Sequence, residues 1–214
     1  MLRPAWIKTG LTGLLFLLLL QNLAAFNFGM KAGSHFTFSR FNTNPETWEN
    51  KPSWQASLFW VIPATPRLDL TMELQLASQK ARLRGTTESL NVEWALYRTF
   101  LHIPLQFKWK PLGHHEGWQP FIALGPHLTV AMNTRLILTV DNTELEIDFK
   151  DYLHRYDVGA TISLGVEIPL VGGENVFSFE LRYGQGFINQ INHAQLETGT
   201  LKTGSLMLMA GISF

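Results

Sequence analysis

From Leu68 to Leu76 the chain alternates without a break. Leu68, Leu70, Met72, Leu74 and Leu76 fall on one side, and Asp69, Thr71, Glu73 and Gln75 on the other. A period of two belongs to an extended strand, whose successive side chains leave opposite faces. A helix would scatter both sets around its circumference. The C-terminus repeats the pattern, with Leu206, Leu208, Ala210, Ile212 and Phe214 set against Ser205, Met207, Met209, Gly211 and Ser213. Such a chain must offer each strand two different environments.

The same test predicts eight strands, at about 28–40, 54–63, 68–79, 99–110, 119–132, 156–169, 176–185 and 204–214. Each has one apolar face, carrying for example Met30, Phe36 and Phe38, then Leu101, Ile103, Leu105, Phe107 and Trp109. Apart from Arg40, that face carries no Asp, Glu, Lys or Arg. The opposite face carries Lys31, His35, Asp69, Glu73, Gln106, Lys108, His127, Asp157, Glu167, Glu180 and Arg182. Gly29, Gly33, Gly125, Gly159 and Gly165 share it, which suits a narrow, crowded interior. A charge facing lipid near the midplane of a barrel costs about 2–4 kcal/mol, so the charge-free face is the one that meets lipid. A soluble sandwich or lipocalin would reverse the sense, with a greasy inside and a charged outside.

The connections agree. Residues 63–67 and 170–175 are short turns, and 110–118 falls on the same side. Segments 41–53, 80–98, 133–155 and 186–203 are long and polar. Outer-membrane barrels show this alternation of short periplasmic turns with long external loops. Within 133–155, Leu136–Val140 and Leu145–Phe149 flank Asp141-Asn142, which predicts a hairpin rising beyond the membrane, and 80–98 suggests a similar extension. Phe28, Trp54, Trp109, Trp118, Phe121, Tyr156 and Phe214 lie near strand ends, where interfacial aromatic girdles form.

The first 25 residues have a different character. Arg3 and Lys8 precede the apolar run Leu11–Leu20, and Ala24 and Ala25 supply small residues for cleavage. This is the layout of a secretory signal; the apolar stretch is far short of the roughly 20 residues a spanning helix needs. The expectation is therefore a signal peptide at 1–25 and one domain at 26–214. That domain is all-β, an up-and-down antiparallel transmembrane barrel of eight strands. Charged residues form only 16% of the chain, against about 25% in soluble proteins. Basic and acidic residues balance at 17 each, so no net field favours nucleic acid. With no cysteine there is no disulfide or thiolate metal site.

Five segments stand out: Phe28-Gly29-Met30-Lys31-Ala32-Gly33, Leu70–Lys80 with Ser78-Gln79-Lys80, Leu101–Lys108 with Ile103-Pro104-Leu105, Pro120–Pro126 and Tyr156-Asp157-Val158-Gly159. Together they resemble the PorT-type outer-membrane β-barrel family of Bacteroidota. The resemblance spans nearly the whole mature chain and implies the barrel fold and the outer membrane. It assigns no activity. The terminal Phe214 resembles the signal read by the barrel-assembly machinery.

Candidate chemistry is sparse. His114-His115-Glu116 has metal-ligand residue types but no third ligand at a recognisable spacing. Ser34-His35 are neighbours on opposite faces, and His127 is followed on its own face by Thr129, so neither forms the Ser–His pair of a lipid-modifying esterase. Gly184-Gln185-Gly186 lacks the helix that a phosphate loop requires. We therefore expect no catalytic residues, no cofactor and no metal. The inward charges Lys31, Glu73, Lys108, Glu167, Glu180 and Arg182 are instead expected to form a salt-bridged network filling the lumen. The expected role is structural or interactive at the cell surface. The alternatives are a narrow channel for small solutes, an accessory barrel of a secretion system and, last, a lipid-modifying enzyme. Expected partners are outer-membrane lipid, the assembly machinery during insertion and a protein at the external loops. The protein is expected to be monomeric.

Overall fold

Strands with one apolar and one polar face build the chain. Its computed structural model describes residues 27–41, 49–87, 90–113, 117–140, 143–148, 153–170, 175–190 and 201–214. The proposed signal peptide and His114-His115-Glu116 lie outside the described residues, as does the side chain of Arg40. Ten strands are described: β1 (Asn27–Phe41), β2 (Glu49–Lys51), β3 (Ser53–Thr65), β4 (Leu68–Thr87), β5 (Leu90–Trp109), β6 (Gln119–Val140), β7 (Thr143–Asp148), β8 (Tyr156–Pro169), β9 (Val176–Gly186) and β10 (Leu201–Ser213).

Eight of them close a barrel in the order β4-β3-β1-β10-β9-β8-β6-β5, and β5 pairs back onto β4. Every pairing is antiparallel. The first and last strands meet from Gly29 opposite Ser213 to Phe41 opposite Leu201, and the Phe214 N–H donates to the Phe28 carbonyl at 2.8 Å. Closure leaves the wall no free edge, which a backbone in hydrocarbon requires.

The wall is inside-out by the standards of a soluble protein. Along β9, Phe177, Phe179, Leu181 and Tyr183 are exposed, while Ser178, Glu180 and Arg182 are buried. The same split runs along β3, β4, β6 and β8. Exposed Phe28, Trp109, Trp118 and Phe214 mark the rim holding the short turns, with the Phe28 and Phe214 rings 5.5 Å apart. Trp54, Tyr156 and Tyr183 mark the other rim. Phe121 departs from the girdle expected for it: it is 2% exposed and points into the lumen. Its place in the alternation decides this, because it shares a face with Ala123 and Gly125.

Glycines let strands approach at two tight places. A Cβ on Gly33 would strike the Leu208 carbonyl across the ladder, and one on Gly125 would strike that of Leu105. Near Gly125 the ladder is also interrupted by Pro104 and Pro126, which have no N–H to donate.

The extension suggested for 80–98 is present: β4 runs to Thr87 and β5 starts at Leu90, paired throughout that stretch. The expected hairpin in 133–155 forms from β6 and β7, paired from Arg135–Asp148 to Val140–Thr143. About ten residues cross a membrane as a tilted strand, so the 20, 20 and 22 residues of β4, β5 and β6 stand well clear of it. Together with β7 and the short β2 they make a crown above the external rim.

At the base of the crown the two faces exchange character. Outward residues turn polar at Ser78, Lys80 and Arg82. Inward, above Gln79, Arg98 and Thr134, apolar residues gather: Ala81, Leu96 and Leu136 pack together with Trp94 against them. On β6 a bulge drives the exchange, since Thr99 faces Asn133 while Phe100 faces Ala131, leaving Met132 as the extra residue. Without it Leu136 would point outward into water. The exchange marks where hydrocarbon ends.

Leu124 and Leu145 are both 58% exposed, the first in the wall and the second in the crown. Leu124→Arg is expected to destabilise the barrel by about 2–4 kcal/mol in lipid vesicles, by urea unfolding. Leu145→Arg should change stability by less than about 0.5 kcal/mol in the same measurement.

Candidate functional site

The lumen holds the titratable groups, and its geometry follows from strand parity. Every second residue of a barrel strand points inward, and an eight-stranded barrel is just wide enough for those side chains to fill it. Lys31 comes from β1, Glu73 from β4, Lys108 from β5, Glu167 from β8, and Glu180 and Arg182 from β9. All six are buried, and Arg182 and Glu73 are fully enclosed. They sort into two tiers.

The central tier joins Lys31, Glu73, Glu180 and Arg182. Lys31 Nζ donates to Glu73 Oε1 at 2.8 Å and to Glu180 Oε2 at 2.7 Å. The guanidinium of Arg182 forks onto Glu73, with Nη1 to Oε2 at 2.9 Å and Nη2 to Oε1 at 2.8 Å. Its Nε reaches Glu180 Oε1 at 2.9 Å and Ser163 Oγ at 3.2 Å, and Nη2 reaches Gln106 Oε1 at 3.0 Å. Gln106 in turn donates to Thr161 and Ser163 at 3.1 and 3.0 Å. Two cations face two anions, and each of the four is hydrogen-bonded within the tier.

The basal tier lies nearer the short-turn rim. Lys108 donates to Glu167 at 2.6 Å, and Lys110 pairs with Glu167 at 2.8 Å and Asp69 at 2.7 Å. It too is neutral, with two lysines against two carboxylates. Lys110 sits just past β5, in the turn. Burial alone would push its ammonium toward losing a proton, but Glu167 and Asp69 outweigh that and hold its pKa above the usual lysine value.

A repeated packing unit supports each tier. Lys31 Nζ lies 4.5 Å above the Phe59 ring, and Lys108 Nζ 4.7 Å above the Phe121 ring. Those rings occupy the space that a Cβ would take on Gly29 and Gly165 respectively. Aliphatic stems and aromatic faces thus fill the gaps between charges.

Asp69 and Lys110 belong to the network beyond the six residues expected to form it. Both are legible in the pattern: Lys110 continues the inward series Gln106, Lys108, and Asp69 shares its face with Glu73. Above the central tier lie three inward imidazoles, His35, His102 and His127, of which alternation alone does not show the proximity. Among the described residues no group of three or more His, Cys, Asp or Glu is arranged to hold a metal.

A greasy wall around a charge-filled lumen is the pattern of an outer-membrane barrel, and residues 21–192 match the outer membrane protein beta-barrel domain family. The chain belongs to that family. It is a bacterial outer-membrane β-barrel. This outer-membrane β-barrel is similar to the OprG structure from Pseudomonas aeruginosa, at 13% identity and a TM-score of 0.54, covering 88% of this chain and 95% of that one. It is also similar to Neisserial surface protein A, at 14% identity and a TM-score of 0.46, covering 87% and 95%. No curated protein matches it in sequence.

Removing one member of a buried ion network strands its partners. Arg182→Met leaves Lys31 alone against two carboxylates and is expected to cost about 3–5 kcal/mol in reversible urea unfolding. Adding Glu73→Gln restores neutrality and should recover part of that loss, so a double-mutant cycle should return a coupling of about 1–3 kcal/mol.

Proposed function

We propose that this outer-membrane barrel is a closed structural and surface-interaction protein whose lumen is sealed by its own charges. One observation carries the reading: the central and basal tiers are each electrically neutral, each buried and each hydrogen-bonded across the lumen. An ion passing through would have to separate bidentate pairs in a space already filled by side chains.

With the lumen closed, the crown is the part that can meet other molecules. Its strands hold backbone and side chains on a defined sheet above the membrane, which suits a protein partner at the external face. Outer-membrane lipid around the wall, the assembly machinery during insertion and a monomeric state complete the reading. The PorT-like segments, Phe28–Gly33 and Leu101–Lys108 among them, support placing the protein in that group and in Bacteroidota.

Enzymatic activity is not part of the proposal. Ser34 is exposed on the wall while His35 is buried in the lumen, and Thr129 is engaged by the ring of His102 at 2.7 Å. Neither gives a nucleophile–base pair at the lipid surface.

Planar-bilayer recording tests the sealed lumen. Purified protein is expected to give no reproducible single-channel steps at neutral pH. Steps of constant amplitude from wild-type protein would replace this reading with a narrow channel.

A further inference from the structure

The lumen above the central tier is not filled. A cavity of about 50 Å³ lies there, bounded by His35, His102, His127, Asp157, Gln190 and Met207 among others. That is room for a few waters or one small ion.

Two of the imidazoles form a pair. The His102 and His127 rings have centroids 4.3 Å apart and are tilted by 41°. His102 Nδ1 meets Thr129 Oγ1 at 2.7 Å, but its Nε2 has no partner, and neither has His127 Nδ1. Both side chains are only 6% exposed. His35 differs: its Nδ1 donates to the Ser78 carbonyl at 3.0 Å and its Nε2 meets Thr37 Oγ1 at 3.4 Å. The paired rings therefore keep unused nitrogens in a lumen where unsatisfied polar atoms are costly.

The surrounding charges decide what those nitrogens can accept. Below, Lys31 of β1, Glu73 of β4, and Glu180 and Arg182 of β9 cancel one another. On β8, Asp157 is held by the Ile188 N–H and the Thr203 hydroxyl, both at 3.1 Å, and acts electrostatically on Arg98 of β5. Arg98 donates to Gln190 at 3.2 Å and lies over the Phe100 ring. His35 and Arg182 both act on His102. The residues of β10 that border the cavity, Thr203, Gly204, Ser205 and Met207, carry no charge. Among the described residues, the carboxylates of the tier below are balanced and Asp157 is offset by Arg98, so a proton on the histidine pair would add a net positive charge beside the cavity.

We propose that this cavity is a binding site for a small monovalent anion such as chloride, taken up from the external side together with a proton on the His102–His127 pair. The anion supplies the missing countercharge and accepts from the ring nitrogens. The site rests on the sealed-lumen reading only for the side of entry, since the tiers below would close the periplasmic route.

Thermal unfolding in detergent, followed by the heat-modified mobility of the barrel, tests the site with chloride as the probe. Gluconate at matched ionic strength is the control, being too bulky for the cavity. At pH 5, raising chloride from about ten millimolar to near-molar should raise Tm by about 5 °C over gluconate, the size expected for a ligand carried from near its Kd to about a hundredfold above it. At pH 7.5 the two salts should give the same Tm. His102→Gln should abolish the chloride difference at pH 5, and His127→Asn provides a second route if that variant does not fold. Equal Tm in chloride and gluconate at pH 5, or the same chloride effect at pH 7.5, would overturn the proposal. Persistence of the effect in a folded variant would do so too. Single-channel steps at neutral pH would overturn the sealed lumen while leaving these Tm differences interpretable.

Discussion

Everything in this barrel follows from hydrocarbon touching one side of each strand. Lipid admits no charge on the outer face without a cost of about 2–4 kcal/mol near the midplane, so the polar residues of the spanning strands go inward. Inside, eight strands leave little room, and the side chains must pack against one another rather than against water. Charges in such a space survive only if they are paired and hydrogen-bonded. The two neutral tiers are the outcome: outer grease forces inner charge, and inner charge forces stoichiometric balance.

The crown shows the same rule with the solvent changed. Once β4, β5 and β6 leave the membrane, their outer face meets water and becomes polar, while Ala81, Leu96, Leu136 and Trp94 gather on the inner side. This is the only apolar cluster of buried residues among those described, and it lies outside the spanning part of the barrel. One strand thus serves two solvents by inverting its pattern. On β6 the inversion needs a physical device, the bulge at Met132, which turns the next side chains by half a period.

Much of this is legible in the sequence, and the exceptions share a cause. Period-two alternation locates the eight wall strands and assigns Lys31, Glu73, Lys108, Glu167, Glu180 and Arg182 to the inner face, because parity is a local property. The segment 80–98 reads as an extension, but its full length as paired strand is harder to see, since a strand in water on one side and above a lumen on the other loses the sharp contrast. Phe121 resembles the rim aromatics in its nearness to a strand end, although parity puts it inside. Which inward groups meet is beyond local reading. The His102–His127 contact depends on inter-strand stagger, as does the reach of Lys110 to both Asp69 and Glu167.

The charged lumen also explains how the strands find their register. A buried ion network seldom adds much stability over well-packed apolar groups, so its value must lie elsewhere. Slipping β9 by one residue would turn Glu180 and Arg182 into lipid and Phe179 and Leu181 into the lumen. Each exposed charge would cost a few kcal/mol, and Glu73 and Lys31 would lose their partners at the same time. The penalty therefore falls on several strands together whenever one is misplaced. Leucines filling the same lumen would tolerate the slip, because either face would then suit lipid. Paired charges drawn from β1, β4 and β9 make the correct closure the one arrangement in which no charge is left in hydrocarbon.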